Sequence, residues 1–281
     1  MTTKPGIITR GAIRIFCLIF IASAAHAAAP LFPTPLHLTR EIVDPISGVA
    51  TVVDEYCHGS RIVSVSGPLT SIADYAKGEL VRIDREAGTY SVTRFEEIAR
   101  IWPSPAARGL GISGPGGEAM TAPLEFRSLG IRGVGGRSAE IFAIDLPGAN
   151  GLRRVEVGVD STITLSRDAV EALVGAAWPH PRHAEHDAIL GACRSGGSLR
   201  TSSEDTTSRD RYRLPLEQIL VFDAAGETIS FTNVVTRVGS ELPPADLIAI
   251  PPGATLVEDE RIAARRLLDE LDRLPVETPR H

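Results

Sequence analysis

The sequence predicts a mainly β protein of the α+β class, built on a meandering antiparallel sheet. Runs rich in β-branched residues recur at intervals of about ten residues, as in residues 51–56 and 61–65. Glycine-bearing turns such as Ala76-Lys77-Gly78 separate these runs, and apolar and polar side chains alternate within residues 89–93. Strands in which apolar and polar side chains alternate, joined by tight turns, are typical of an antiparallel sheet with one face exposed to solvent.

The first half of the chain carries five such strands and one short helix. The predicted strands are residues 51–56, 61–65, 72–75, 80–84 and 89–92. Thr93 and Glu96 form a capping box, which predicts a helix that starts at Arg94 and runs toward Trp102. Residues 103–123 are rich in Gly, Pro and Ala, and we expect a flexible loop there.

The second half resumes the sheet around two helices. Its predicted strands are residues 124–128, 141–146, 153–159, 214–222 and 227–238. Ser166 is expected to cap the first helix, and residues 181–193 to form the second. The polar residues 195–211 are expected to be a flexible loop. An amphipathic C-terminal helix is predicted over residues 257–274, and its apolar stripe is Ala264, Leu267, Leu268, Leu271 and Leu274.

The N-terminus has the organisation of an export signal. Its basic residues, with no acidic residue among them, are Lys4, Arg10 and Arg14. The apolar core at 15–24 is about half as long as a membrane-spanning helix, which disfavours the alternative of an uncleaved anchor. Ala25-His26-Ala27 is the small-x-small pattern that signal peptidase cleaves. We therefore predict a signal peptide over residues 1–27, and a periplasmic or secreted protein that begins near Ala28.

The charge of the predicted mature chain disfavours polyanionic partners. The signal holds three of the 29 basic residues and none of the 35 acidic ones. The remainder has 26 basic and 35 acidic residues, a formal charge of −9. Such a balance argues against nucleic acid and anionic membrane surfaces as general partners. No integral membrane span is expected after signal removal.

Two cysteines remain after the signal, Cys57 and Cys193. In an oxidising compartment they could form one disulfide, and closing so long a loop would stabilise the fold by roughly 3–5 kcal/mol. The alternative is two separately buried thiols. Nothing in the sequence shows that the two positions meet, so both interpretations stay open.

The densest polar cluster in the sequence is a histidine-rich segment. His180, His183 and His186, with acidic residues between them, could bind zinc or copper. The alternative is a solvated helix start. It is favoured because, although His183 and His186 lie roughly on one side of a helix, Glu185 and Asp187 diverge from them and His180 precedes Pro181. No other cofactor is predicted.

No catalytic motif is found in the chain. The G-x-G-x-x-G run at 109–114 lies between prolines and glycines, and it lacks the strand and helix that a dinucleotide site requires. There is no G-x-S-x-G elbow and no C-x-x-C pair. We therefore assign no catalytic residue and favour a protein that is not an enzyme.

Three stretches of the sequence carry a resemblance to a known family. They are residues 61–97, residues 131–166, and residues 214–253, which end in Leu247-Ile248-Ala249-Ile250-Pro251-Pro252-Gly253. In the order of their elements they resemble exported bacterial domains of unknown function with the LolA-like, or lipoprotein-carrier-like, fold. The resemblance implies a curved antiparallel incomplete barrel wrapped partly around a few packed helices. It also implies one LolA-like domain over residues 28–256, followed by the C-terminal helix and tail at 257–281.

The resemblance also suggests a function, because the concavity of the carriers holds acyl chains. We expect a non-enzymatic protein whose half-barrel binds an apolar or lipid-like molecule, or docks to an envelope partner whose identity is unknown. In this expectation the C-terminal helix packs on the sheet through Leu267, Leu271 and Leu274. The alternative is a metal-binding periplasmic protein, or a metal-dependent enzyme, that uses the histidine segment.

Overall fold

The computed structural model describes residues 29–44, 47–101, 124–149, 152–177, 184–194, 211–224, 227–260 and 262–263. Within them the predicted fold class is confirmed, because the strands form one curved sheet that does not close into a barrel. The strands are β1 (Phe32–Val43), β2 (Ala50–Gly59), β3 (Arg61–Ser66), β4 (Leu69–Asp74), β5 (Glu79–Asp84), β6 (Thr89–Arg94), β7 (Phe126–Val134), β8 (Arg137–Ala149), β9 (Leu152–Leu165), β10 (Tyr212–Ala224), β11 (Glu227–Gly239) and β12 (Thr255–Leu256). The helices are α1 (Phe95–Ile101), α2 (Arg167–Ala177), α3 (Ala184–Cys193) and α4 (Ala245–Ile248).

The sheet is two meanders joined at the first strand. Its order is β12-β6-β5-β4-β3-β2-β1-β11-β10-β9-β8-β7. Neighbours pair antiparallel except β12, which pairs parallel with β6. The chain therefore winds outward from β1 to β6, and later returns from β7 to β11 on the other side of β1.

The second meander curls strongly. Gly135, in the β7–β8 turn, has a positive φ of 55°, and a Cβ added there would lie 2.3 Å from the carbonyl oxygen of Val235. Val235 is on β11, which is separated from β8 by β9 and β10. The hairpin tip can reach β11 only if the sheet bends back on itself, and the close approach of the backbones leaves no room for a side chain at position 135.

Helices α2 and α3 cover one face of the sheet, called here the inner face. Leu173 of α2 packs in a buried cluster with Leu38 and Ile62, and Ile189 of α3 packs in a second cluster with Val157. An apolar sheet face must be buried against another layer, and in the described residues these helices supply that layer. The sequence left open whether this face is open or covered by helices, and in the described residues α2 and α3 cover it.

The ends of the predicted helices are partly confirmed. The Ser166 hydroxyl accepts a hydrogen bond from the Ala169 N–H at 3.1 Å, which is the predicted cap. The Thr93 and Glu96 capping box is wrong, because β6 continues through Arg94 and the Thr93 hydroxyl donates to Asp259 at 3.1 Å. The helix begins one residue later than predicted, at Phe95.

Several predictions lie outside the described residues or at their border. These are the signal peptide at 1–27, the loop at 103–123, all of 195–211 except residue 211, and the apolar stripe of the C-terminal helix. The start of that helix is described: the chain becomes helical at Glu260 rather than near residue 257, because Thr255 and Leu256 pair with β6 as β12.

Candidate functional site: a groove on the outer face

The groove lies on the outer face, which is the face opposite α2 and α3. Side chains alternate between faces along a strand, so Val63 points outward where Ile62 points inward. Register places Tyr56, Val63, Ile72 and Val81 side by side across β2 to β5. This row forms the floor of a groove with a volume of about 360 Å³.

The wall of the groove comes from a distant part of the chain. Residues 240–250, called here the strap, leave the end of β11 and cross the outer face. Leu242, Pro243, Ile248 and Ile250 of the strap line the groove. Three of them remain well exposed: Leu242 is 55% exposed, Ile250 43% and Ile248 41%. The groove therefore joins a buried apolar floor to an apolar rim that solvent reaches.

One end of the groove is polar. A second row across the same strands contains His58, Arg61, Asp74 and Glu79, and Lys77 lies beside it. Arg61 Nε donates to Asp74 Oδ2 at 2.8 Å, and the Lys77 backbone N–H donates to Asp74 Oδ1 at 3.1 Å. Burial opposes ionisation of Asp74, but these hydrogen bonds outweigh it and lower its pKa. This end presents charges of both signs.

The strap is held at two points. In its middle, Arg85 Nη2 donates to the carbonyl oxygens of Asp246 and Leu247 at 2.7 and 2.8 Å. At its start, Glu241 Oε2 lies 3.2 Å from Nδ1 of His37 on β1. The other ring nitrogen of His37 lies 3.1 Å from Asp54 Oδ1 on β2. The wall of the groove thus depends on polar contacts with two separate parts of the sheet.

Cys57 and Cys193 are both buried free thiols in the structure. They belong to different core clusters, Cys57 with the α2 cluster and Cys193 with the α3 cluster. Burial raises the pKa of each thiol, so neither has the thiolate character of a reactive cysteine. The disulfide between them stays a prediction.

The histidine segment is not brought into a described site. His180 and His183 lie outside the described residues, and His186 is a residue of α3. Within the described ranges, no group of three His, Cys, Asp or Glu side chains is placed to hold a metal ion. The metal site therefore stays a prediction.

Sequence reasoning missed the groove. In the sequence, residues 247–253 contributed only to the resemblance in fold. In the structure, Ile248 and Ile250 form part of the wall of the groove. His37 and Glu241 are 204 residues apart, and no local pattern connects them. The available signal was the run of apolar residues and prolines at 242–251, because its prolines disfavour a central strand and it lies outside any predicted helix.

Comparisons with known proteins give structural likeness alone. No protein-family model matches the sequence, and no curated protein matches it. An uncharacterized conserved protein from Thermus thermophilus is similar at a TM-score of 0.40 and 10% identity, over 81% of this chain and 92% of that one. The Pseudomonas aeruginosa MucA/MucB complex matches at 0.37 and 12% identity, over 77% of this chain and 56% of that one.

A putative outer membrane lipoprotein-sorting protein domain from Vibrio parahaemolyticus is also similar, at a TM-score of 0.22 and 10% identity, over 76% of this chain and 89% of that one. The chain spans about half the length of the matched chain in the MucA/MucB structure. At these scores the likeness lends no function to the chain. Within the part that the structure describes, no helix has the length and apolar character to cross a membrane.

Proposed function

We propose that this protein is an exported, non-enzymatic binding protein of the cell envelope whose outer groove takes an apolar or lipid-like ligand. The observation that carries the proposal is the groove itself, about 360 Å³ in volume, with an apolar floor on the sheet and an apolar wall on the strap. Ligand sites of proteins are typically concave, mainly apolar and of this size or larger. A polar end can orient such a ligand without any reaction taking place.

The rim of the groove supports a ligand that is only partly enclosed. Val63 and Ile72 in the floor are almost fully buried, whereas Leu242 and Ile250 on the strap are about half exposed. Exposed apolar side chains next to a groove are a frequent mark of binding surfaces. An extended chain lying along the floor would cover these side chains, which is the gain in free energy that we expect to drive binding.

A solvatochromic dye tests the proposal. Wild-type protein, stripped of lipid, should bind the dye saturably, and palmitate or a phospholipid should displace it. Ile248→Arg places a charge in the wall, and we expect it to weaken dye binding about tenfold or more. Ile131→Arg is the matched control, because Ile131 is 74% exposed on β7 and is not part of the groove.

Two outcomes would contradict the proposal. One is the absence of saturable dye binding at any protein concentration. The other is an equal loss of binding in Ile248→Arg and Ile131→Arg, which would show that the dye reports general surface apolarity.

Docking of a protein partner is the second candidate function. It is favoured by the exposed strap side chains and by Val92, which is 46% exposed and pairs with Val81 at the edge of the floor. A photo-crosslinking residue at position 242 would then capture one defined protein in intact cells, and the same residue at position 131 would not. Crosslinks of equal pattern from both positions would reject a specific docking surface.

The metal-binding alternative rests on the sequence of His180, His183 and His186. Elemental analysis of protein purified without a histidine tag tests it. Stoichiometric zinc or copper that is lost in a triple His→Ala variant would support this alternative, and metal-free protein would reject it.

A further inference from the structure

His37 lies between two carboxylates and stacks on Tyr56, a residue of the groove floor. The residue is 5% exposed, and its ring stacks on Tyr56 at a centroid distance of 4.1 Å and an interplanar angle of 8°. Its two nitrogens face Asp54 and Glu241, at 3.1 and 3.2 Å. The stacking fixes the plane of the ring, and in this orientation each nitrogen faces one carboxylate.

The number of N–H donors on the ring shows which protonation form of His37 fits between two carboxylates. An ionised carboxylate only accepts hydrogen bonds, and a neutral imidazole has a single N–H to donate. The neutral ring can therefore satisfy Asp54 or Glu241, while its second nitrogen turns a lone pair toward the other carboxylate. Only the imidazolium donates to both.

The surrounding groups keep both carboxylates in place. Thr39 Oγ1 donates to Asp54 Oδ1 at 2.8 Å, and Arg237 of β11 forms an ion pair with Glu241. The pKa of Glu241 is lowered by its own backbone N–H and by the contact with His37. Tyr56 is the other titratable group that faces the ring, and burial, followed by the two carboxylates, raises its pKa.

Gly239 makes room for this arrangement. A Cβ added at position 239 would lie 1.9 Å from Oε2 of Glu241, the oxygen that faces His37. The carboxylate therefore occupies the space that a side chain at 239 would take. An alanine there would push the end of Glu241 away from the ring.

We propose that His37 is a pH-dependent latch for the strap: its protonated ring fastens Glu241 to the sheet, and loss of the proton releases one of the two carboxylate contacts. Because only the ring with both N–H groups donates to both carboxylates, the latch is complete at lower pH and is weakened once the ring has lost a proton at higher pH.

The latch also has a consequence for binding, which rests on the proposed function. The strap supplies Leu242, Ile248 and Ile250 to the wall, so its release should lower the affinity of the groove for an apolar ligand. The test of the latch itself needs no ligand. Failure of the latch and failure of the groove as a binding site are therefore distinguishable.

Hydrogen–deuterium exchange of the full chain tests the latch. Protection of the amides of residues 241–250, corrected for the intrinsic exchange rate, should fall about tenfold between pH 6 and pH 8.5 in the wild type. Glu241→Gln should remove this dependence. The introduced amide donates to Nδ1 of the neutral ring, while Nε2–H donates to Asp54, so protection should persist at pH 8.5.

Two further variants complete the test. Gly239→Ala should give low protection of the strap at both pH values, because it displaces the Glu241 carboxylate. Glu227→Gln, at the opposite end of β11, is the control for removal of a charge and should behave as the wild type. The proposal is overturned by strap protection that is independent of pH in the wild type, by unchanged pH dependence in Glu241→Gln, or by wild-type protection in Gly239→Ala.

Discussion

Arg40 and Glu55 form a buried ion pair between β1 and β2, with Arg40 Nε 2.5 Å from Glu55 Oε2. Their side chains are 1% and 3% exposed, and Arg40 Nη1 also donates to Asn233 Oδ1 on β11 at 3.5 Å. The pair thus ties together the three strands where the two meanders join. Among the described residues, Arg40 Nη2 has no hydrogen-bond partner, so the guanidinium is not fully satisfied.

The first prediction concerns this pair. Arg40→Met should lower the free energy of unfolding by about 3–5 kcal/mol, because it leaves the Glu55 carboxylate buried without a partner. The double variant Arg40→Met, Glu55→Met should lose less than Arg40→Met alone, because no uncompensated charge remains. Urea denaturation of the three proteins measures both effects. A double variant at least as unstable as Arg40→Met would contradict the argument.

The second prediction compares two helix glycines. A Cβ at Gly191 of α3 would lie 2.3 Å from Cζ of Phe126, whereas a Cβ at Gly175 of α2 would meet nothing within 4 Å. Gly191→Ala should therefore destabilise the protein by about 1–3 kcal/mol through overpacking. Gly175→Ala should stabilise it by about 0.5–1 kcal/mol, through helix propensity and reduced freedom of the unfolded chain. Thermal unfolding of the two variants measures both effects. Equal shifts of Tm in Gly191→Ala and Gly175→Ala would contradict the difference in packing.

The third prediction concerns acid sensitivity at Asp160. Its fully buried carboxylate accepts hydrogen bonds from the Thr162 N–H at 2.6 Å, the Thr162 hydroxyl at 2.7 Å and the Ile163 N–H at 3.0 Å, and it pairs with Arg137. Burial opposes ionisation, but Arg137 and these donors together lower the pKa of Asp160. Its stabilising contribution is therefore complete above about pH 4, the unfolded pKa, and is lost as the pH falls through the folded pKa.

Asp160→Asn should accordingly be less stable than the wild type by about 2 kcal/mol at pH 7. The difference should shrink as the pH is lowered below 4. Urea midpoints measured from pH 7 to pH 3 would show this convergence, and a constant difference across the range would argue that ionisation of Asp160 does not matter.

The fourth prediction counts thiols. Cys57 and Cys193 are 1% and 0% exposed, so neither should react with a maleimide in the native protein. Denatured but unreduced protein should label at two sites if the thiols are free, as in the structure. If the exported protein instead carries the hypothesised disulfide, no site should label before reduction.

The fifth prediction concerns export. The basic N-terminus, the short apolar core and the Ala-x-Ala pattern predict a mature chain that begins at or near Ala28. N-terminal sequencing of protein recovered from the periplasm or the medium checks this. Recovery of the chain with Met1 intact in the membrane fraction would show an uncleaved anchor instead.

Much of the secondary structure could be predicted because its causes are local. The β-branched content of residues 61–65 and 80–84 predicts strands, and these residues lie in β3 and β5. The cap at Ser166 depends on atoms three residues apart. The strands of the second meander run longer than predicted, as in β9, because pairing with neighbouring strands extends them through polar residues that carry no strand signal of their own.

The sequence by itself determined the class of the fold and the order of most of its elements, because turns, alternation and the Ser166 cap are encoded within a few residues of one another. It did not predict β1, α4 or β12. The tertiary structure alone decided that the helices fill the inner face, that Arg40 is buried, and that the candidate site is a groove on the outer face. In the sequence, Arg40 stands between Thr39 and Glu41 as an ordinary surface residue. Its burial, and the meeting of His37 with Glu241, result from contacts between segments about 200 residues apart, which no local pattern specifies.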